Sequence, residues 1–126
     1  MRWRLLLAIL VLSACHQQVS SSPHGGQRYV ITEEEIDAST ASNVYDLIAQ
    51  LRADFLKDRG KVSIRMDQHE KAVVFLNDQE YGILETLRNI PRSRVSEIRY
   101  YPGTEAVNRF GAQYGGGVVF LVSRNN

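Results

Sequence analysis

Val44, Leu47, Ile48, Leu51 and Phe55 recur at spacings of 3, 1, 3 and 4 within the stretch DASTASNVYDLIAQLRADFLKDRG. Such spacings line side chains along one face of a helix, and that face has to be buried against something else. Ser39, Thr40, Ser42 and Asn43 offer caps at its start, and Gly60, after Lys57, Asp58 and Arg59, suits its end. The covering surface is supplied by two apolar, β-branched runs, AVVFL at Ala72 to Leu76 and VVFLV at Val118 to Val122, whose length fits buried strands. A helical stripe and two buried strands in one short chain predict an α+β domain.

The intervening segments add smaller elements. RYVI, Arg28 to Ile31, reads as a short strand, and Thr32 with Glu35 has the spacing of a capping box opening a helical turn. Glu33, Glu34 and Glu35 then fall at the positive end of a helix dipole, so capping explains them better than acid/base or Ca²⁺ chemistry. Asn77, Asp78 and Gln79 form a turn after the first apolar strand. Ile83, Leu84, Leu87 and Ile90 are spaced as a short helix that stops before Pro91. Val95 to Tyr100 alternates as a strand until Pro102 and Gly103 break it, and Thr104 is placed to cap one further helical turn. Gly111, Gly115, Gly116 and Gly117 precede a strand, and no lysine followed by Ser or Thr comes after them. They are therefore no phosphate loop, and their task is conformational.

With 126 residues the chain has room for one core. Its 15 basic and 14 acidic residues leave a formal charge of +1, which excludes a nucleic-acid footprint. A single cysteine, Cys15, excludes an intrachain disulfide. That cysteine closes MRWRLLLAILVLSAC, in which Arg2 and Arg4 precede an apolar run from Leu5 to Leu12 and the small residues Ser13 and Ala14. The pattern is that of a signal peptide, too short to remain as a spanning helix. LSAC resembles the lipobox of bacterial lipoproteins, which implies a diacylglyceryl group on the Cys15 thiol, cleavage just before it and acylation of the new amine. Two or three acyl chains make such attachment lasting where one does not.

Residues 1–14 are thus expected to be a lipoprotein signal peptide, residues 15–27 a lipidated N-terminus with a Ser/Gly/Pro-rich tether, and residues 28–126 the folded domain. His16 stands where retention in the inner membrane would require aspartate, which favours the outer membrane. The expected partner of the N-terminus is the bilayer, reached through its lipid.

Other reactive side chains have bland explanations. His24 lies alone in the tether, and Asp67, His69 and Glu70 cluster within four positions on a loop without a fourth, distant metal ligand. Arg88, Arg92, Arg94 and Arg99 read as a solvated rim. No nucleophile–base pair, convergent carboxylate pair or cofactor loop can be named, so the expectation is a non-enzyme with no catalytic residue, no metal and no cofactor.

The order of elements resembles the plug domain of TonB-dependent outer-membrane receptors. The residues that carry the resemblance are the apolar strand and turn of Val73 to Gly82, Ile90-Pro91, the strand Val95 to Gly103, Phe110-Gly111, and the closing strand Gly116 to Arg124. Asn77-Asp78 with Gln79 replaces the family's Asp-Gly turn, no energy-coupling box is visible in QQVSSSPHGGQ, and Asn126 follows where barrel strands would begin. The resemblance implies a small plug-like domain, a mixed sheet of about three to five strands packed on two or three helices. It also implies a binding or interaction module held at the periplasmic face of the outer membrane. The expected protein partner is a TonB-dependent receptor, in trans during uptake, or another envelope protein. Expected contact residues are Asn77, Asp78 and Tyr81 at the turn, with Tyr100, Tyr101, Phe110 and Tyr114 as loop aromatics.

Overall fold

The computed structural model describes residues 28–57 and 71–125. The signal peptide, Cys15, His16, the tether with His24, Gly60 and the Asp67/His69/Glu70 cluster lie outside the described residues.

A five-stranded mixed sheet organises the domain, in the order β1-β4-β5-β2-β3. The strands are β1 (Val30–Ile31), β2 (Val73–Leu76), β3 (Gln79–Ile83), β4 (Val95–Tyr101) and β5 (Val118–Ser123). The two apolar runs, β2 and β5, lie side by side in parallel, with Val73 opposite Val118 and Leu76 opposite Leu121. All other pairings are antiparallel. Continuous apolar sequence suits strands with neighbours on both sides and layers on both faces, the position of β2 and β5. β4 is also internal, between β1 and β5, but keeps Arg99 exposed and so reads as alternating.

Helix α1 (Glu33–Ala38) starts with the expected box: the Glu35 N–H donates to Thr32 Oγ1 at 3.4 Å, and the Thr32 N–H donates to the Glu35 carboxylate at 3.0 Å. Helix α2 (Val44–Leu51) is capped by Asn43, whose Oδ1 accepts from the Asp46 N–H at 2.9 Å. The helix does not run on through Phe55. It ends at Arg52 (φ −148°), and Ala53–Leu56 continues as a tighter 3-10 turn. Arg52 is held in that geometry by donating to the Leu51 carbonyl and to Glu35, both at 2.9 Å. The break swings Phe55 onto Tyr100, with ring centroids 4.9 Å apart and planes at 13°.

Three further expectations are corrected. Gln79 opens a strand that extends to Ile83 and pairs back on β2, so the turn is confined to Asn77-Asp78, and Ile83 is an exposed strand residue with no place in a helical stripe. Leu84–Asn89 is a 3-10 segment instead of an α-helix. Leu84, Leu87 and Ile90 bury their side chains three residues apart, which suits three residues per turn. Finally, α3 (Gly103–Phe110) has Pro102 at its cap position, so Thr104 lies inside the helix and caps nothing.

The sheet buries two layers. On one face Ile31, Val74, Val95, Ile98, Tyr100, Val119 and Leu121 pack with Ile36 of α1, Val44, Leu47 and Ile48 of α2, and Phe55, Leu84 and Leu87. On the other a smaller cluster, Val73, Phe75, Tyr101 and Val118, meets Ala106 of α3 and Tyr114 of the following 3-10 turn, Ala112–Tyr114. Among the described residues one short helix and turn cover this second face, which makes it the side to consider for function.

Candidate functional site: the second sheet face and its β3 edge

Alternation along each strand decides which aromatics meet. Tyr100 and Tyr101 are adjacent in β4, so they point to opposite sides of the sheet. Tyr100 is 2% exposed in the main core. It is therefore no surface contact, and neither is Tyr101, a strand residue 6% exposed, nor Tyr114, 7% exposed, so the expectation of exposed loop aromatics is corrected for all three. Tyr101, Phe110 and Tyr114 do come together, with two rings the sequence reading missed, Phe75 and Phe120. Phe110 is central: its ring centroid is 4.8 Å from that of Phe75, 5.3 Å from Tyr101, 6.0 Å from Phe120 and 6.3 Å from Tyr114. Phe75 and Phe120 were legible as strand residues, and the parity that sends both to this face follows from their positions opposite each other in the parallel pair.

One glycine sets α3 against the glycine turn and another lets β5 begin close to β4. A side chain at Gly103 would collide with the Gly115 carbonyl, so the start of α3 lies backbone to backbone on the glycine turn. Gly117 has φ +101°, and a Cβ there would stand 2.7 Å from the Tyr100 hydroxyl. Arg109 lies over the Tyr101 and Phe110 rings at 5.0 and 5.7 Å, a cation–π placement at the rim of the cluster.

The cluster is tied to the edge of the sheet by one polar contact. The Tyr114 hydroxyl donates to Glu80 Oε2 at 2.6 Å. That bond, and then burial, raise the Tyr114 pKa above its usual value. Glu80 was not singled out in the sequence; its partner is 34 residues away, and no local pattern signals it.

Of the turn residues, Asn77 has a mainly structural task. Its φ of +54° is left-handed, and its Oδ1 accepts from the Ser123 N–H at 3.0 Å and from the Ser123 hydroxyl at 3.2 Å. Asp78 and Tyr81 face solvent. Tyr81, 46% exposed, and Ile83, 55% exposed, are the large hydrophobic side chains most open to water among the described residues, and both belong to β3. Asp78, Glu80 and Glu85 surround them, and among the described residues none of the three carboxylates forms an ion pair.

Elsewhere charge is spent within the fold. Arg124 bridges Glu33 at 3.2 Å and Asp37 at 2.9 Å, which raises its pKa further, and Arg88 lies 3.6 Å from the Tyr45 ring centroid. Arg92 donates to the Ile36 carbonyl at 3.0 Å. The expected arginine rim thus includes Arg88 and Arg92 as fixed contacts between elements. Among the described residues there is no group of three or more His, Cys, Asp or Glu side chains that could hold a metal ion, and no helix is long and apolar enough to cross a membrane. No family model, curated protein or solved structure matches the chain.

Proposed function

We propose that this chain is an outer-membrane-anchored lipoprotein whose plug-like α+β domain works as a non-catalytic binding module. The observation that carries the binding role is the concentration of solvent-exposed Tyr81 and Ile83 on one edge strand, beside a face that, among the described residues, α3 and its following turn cover. Isolated exposed apolar residues are ordinary, but two on one strand of a sheet edge form a surface that association would cover. The lipid attachment is supported by the sequence LSAC ending at Cys15, and the kinship with receptor plugs by the segments from Val73 to Arg124.

Two measurements test this reading. Mass spectrometry of the mature N-terminus should find Cys15 as the first residue, carrying a diacylglyceryl group and an amide-linked acyl chain. Crosslinking in outer membranes followed by affinity isolation should recover a defined envelope protein; a TonB-dependent receptor among the products would favour a role in trans during uptake. An unmodified Cys15 thiol on a freely soluble protein overturns the anchor, and membranes that yield no specific product overturn the binding role.

A further inference from the structure

The two edges of the sheet are built differently. β1 is two residues long, and Ile31 within it is fully buried, so it offers little backbone to another chain. Shortness is one of the ordinary ways in which proteins blunt a sheet edge. β3 has five residues, pairs among the described residues with β2 alone, and contains neither proline nor lysine. Gln79, Glu80, Tyr81 and Ile83 are all exposed. The register with β2 shifts beside Tyr81, since Phe75 stands opposite Glu80 and Val74 opposite Gly82. Among the described residues no strand pairs on its outer side, the Ile83 carbonyl accepting from the Thr86 hydroxyl at 2.6 Å, and the strand carries two exposed apolar side chains.

Resting on the binding-module reading, we infer that the outer edge of β3 receives an extended segment of a partner protein in which apolar residues alternate with lysine or arginine, extending the five-stranded sheet. Strand addition satisfies the edge N–H and C=O groups, and alternate side chains of the incoming segment meet Tyr81 and Ile83. Charge selects the partner. Asp78, Glu80 and Glu85 line the strand and its two ends without a cationic partner among the described residues, whereas Arg52, Arg88, Arg99 and Arg124 are engaged with carboxylates elsewhere. A cationic strand is attracted to this edge. A second copy of the chain would bring the same three carboxylates against themselves, and like charges across a strand pair are destabilising.

The test uses the full-length chain in neutral detergent and a fluorescent, end-blocked peptide of alternating lysine and valine, with a glutamate-for-lysine peptide as control. Anisotropy should show the lysine peptide binding at least tenfold more tightly than the glutamate peptide. Binding should weaken tenfold or more in Ile83→Lys and in Tyr81→Lys, both at exposed positions, and become less salt-sensitive in the double variant Asp78→Asn, Glu85→Gln. Hydrogen exchange of the Gln79–Ile83 amides should slow on binding. Equal binding of the two peptides, or unchanged exchange in β3, overturns the inference. So does sedimentation showing a dimer that Ile83→Lys dissociates, since a second copy would then occupy the edge. If crosslinking in membranes recovers a partner whose capture survives Ile83→Lys, the binding role stands and the β3 assignment alone falls.

Discussion

The Tyr114 hydroxyl reaches across the sheet face to Glu80 at 2.6 Å and so fastens the turn after α3 to the edge hairpin. It is a charge-assisted bond to a solvent-exposed carboxylate, so it contributes less than a fully buried one. Tyr114→Phe should cost about 1–2 kcal/mol, read as a lower urea midpoint at unchanged slope. The pH dependence has a definite sign. Because Glu80 raises the Tyr114 pKa above the unfolded value of 10.0, the folded state holds this proton more tightly. The contribution is present below the unfolded pKa and is lost as pH rises through the folded one. Wild type should therefore lose more stability than Tyr114→Phe when unfolding is measured across the alkaline range, and parallel curves would show the bond to be unimportant.

Leu47 is fully buried and Leu51 only half-buried, although both lie on the stripe that identifies α2. Leu47→Ala should cost about 2–5 kcal/mol, in the range of core truncations. Leu51→Ala should cost under about 2 kcal/mol, because part of its side chain is wet already. Denaturant unfolding of the two variants side by side checks the order; equal losses would mean that Leu51 is covered more completely in solution.

The fold was legible where one local rule acts alone. The Thr32–Glu35 box, the stripe from Val44 to Ile48 and the two apolar strands each follow from a few adjacent residues, whereas the parallel pairing of those strands does not. Long-range contacts defeated the reading elsewhere. The α2 stripe continues to Phe55, but the helix breaks at Arg52 (φ −148°), whose guanidinium bonds Glu35, 17 residues earlier, and no local pattern signals that break. β3 was missed because its sequence, QEYGI, has one interior glycine and an edge position, and neither leaves a periodic apolar pattern. At the candidate site, Tyr101, Phe110 and Tyr114 do lie near one another, but as a packed cluster in which Tyr101 and Tyr114 are buried, where exposed loop aromatics were expected. Tyr100 was separated from them by strand parity, and Glu80, Phe75 and Phe120 entered only through pairing.

Gly103 and Gly117 offer stability tests of two close backbone approaches. A methyl at Gly103 would strike the Gly115 carbonyl, and one at Gly117 would meet both the Tyr100 hydroxyl and, at 3.1 Å, the Tyr101 carbonyl, at a φ of +101°. Backbone cannot yield as a long side chain does, so each alanine variant should lose about 1–3 kcal/mol or more. Gly103→Ala should also loosen α3, seen as faster hydrogen exchange over Gly103–Phe110 with β4 and β5 protected as before. Protection unchanged in α3 would place the strain elsewhere.

Asn77 separates the demands of conformation from those of hydrogen bonding. Its φ of +54° favours glycine, while its side chain accepts from the Ser123 backbone and hydroxyl and donates from Nδ2 to that hydroxyl at 3.1 Å. Asn77→Ala loses the bonds and keeps the unfavourable backbone, so it should cost about 1–2 kcal/mol. Asn77→Gly loses the same bonds but relieves the backbone, and should cost less than alanine despite the greater flexibility glycine gives the unfolded chain. Thermal unfolding of both variants decides the matter. If glycine is the more damaging, the entropy of the unfolded chain outweighs the left-handed backbone at this position. If alanine is worse, the turn that launches the β3 edge is set chiefly by its backbone geometry, and Asn77 supports the candidate surface without forming part of it.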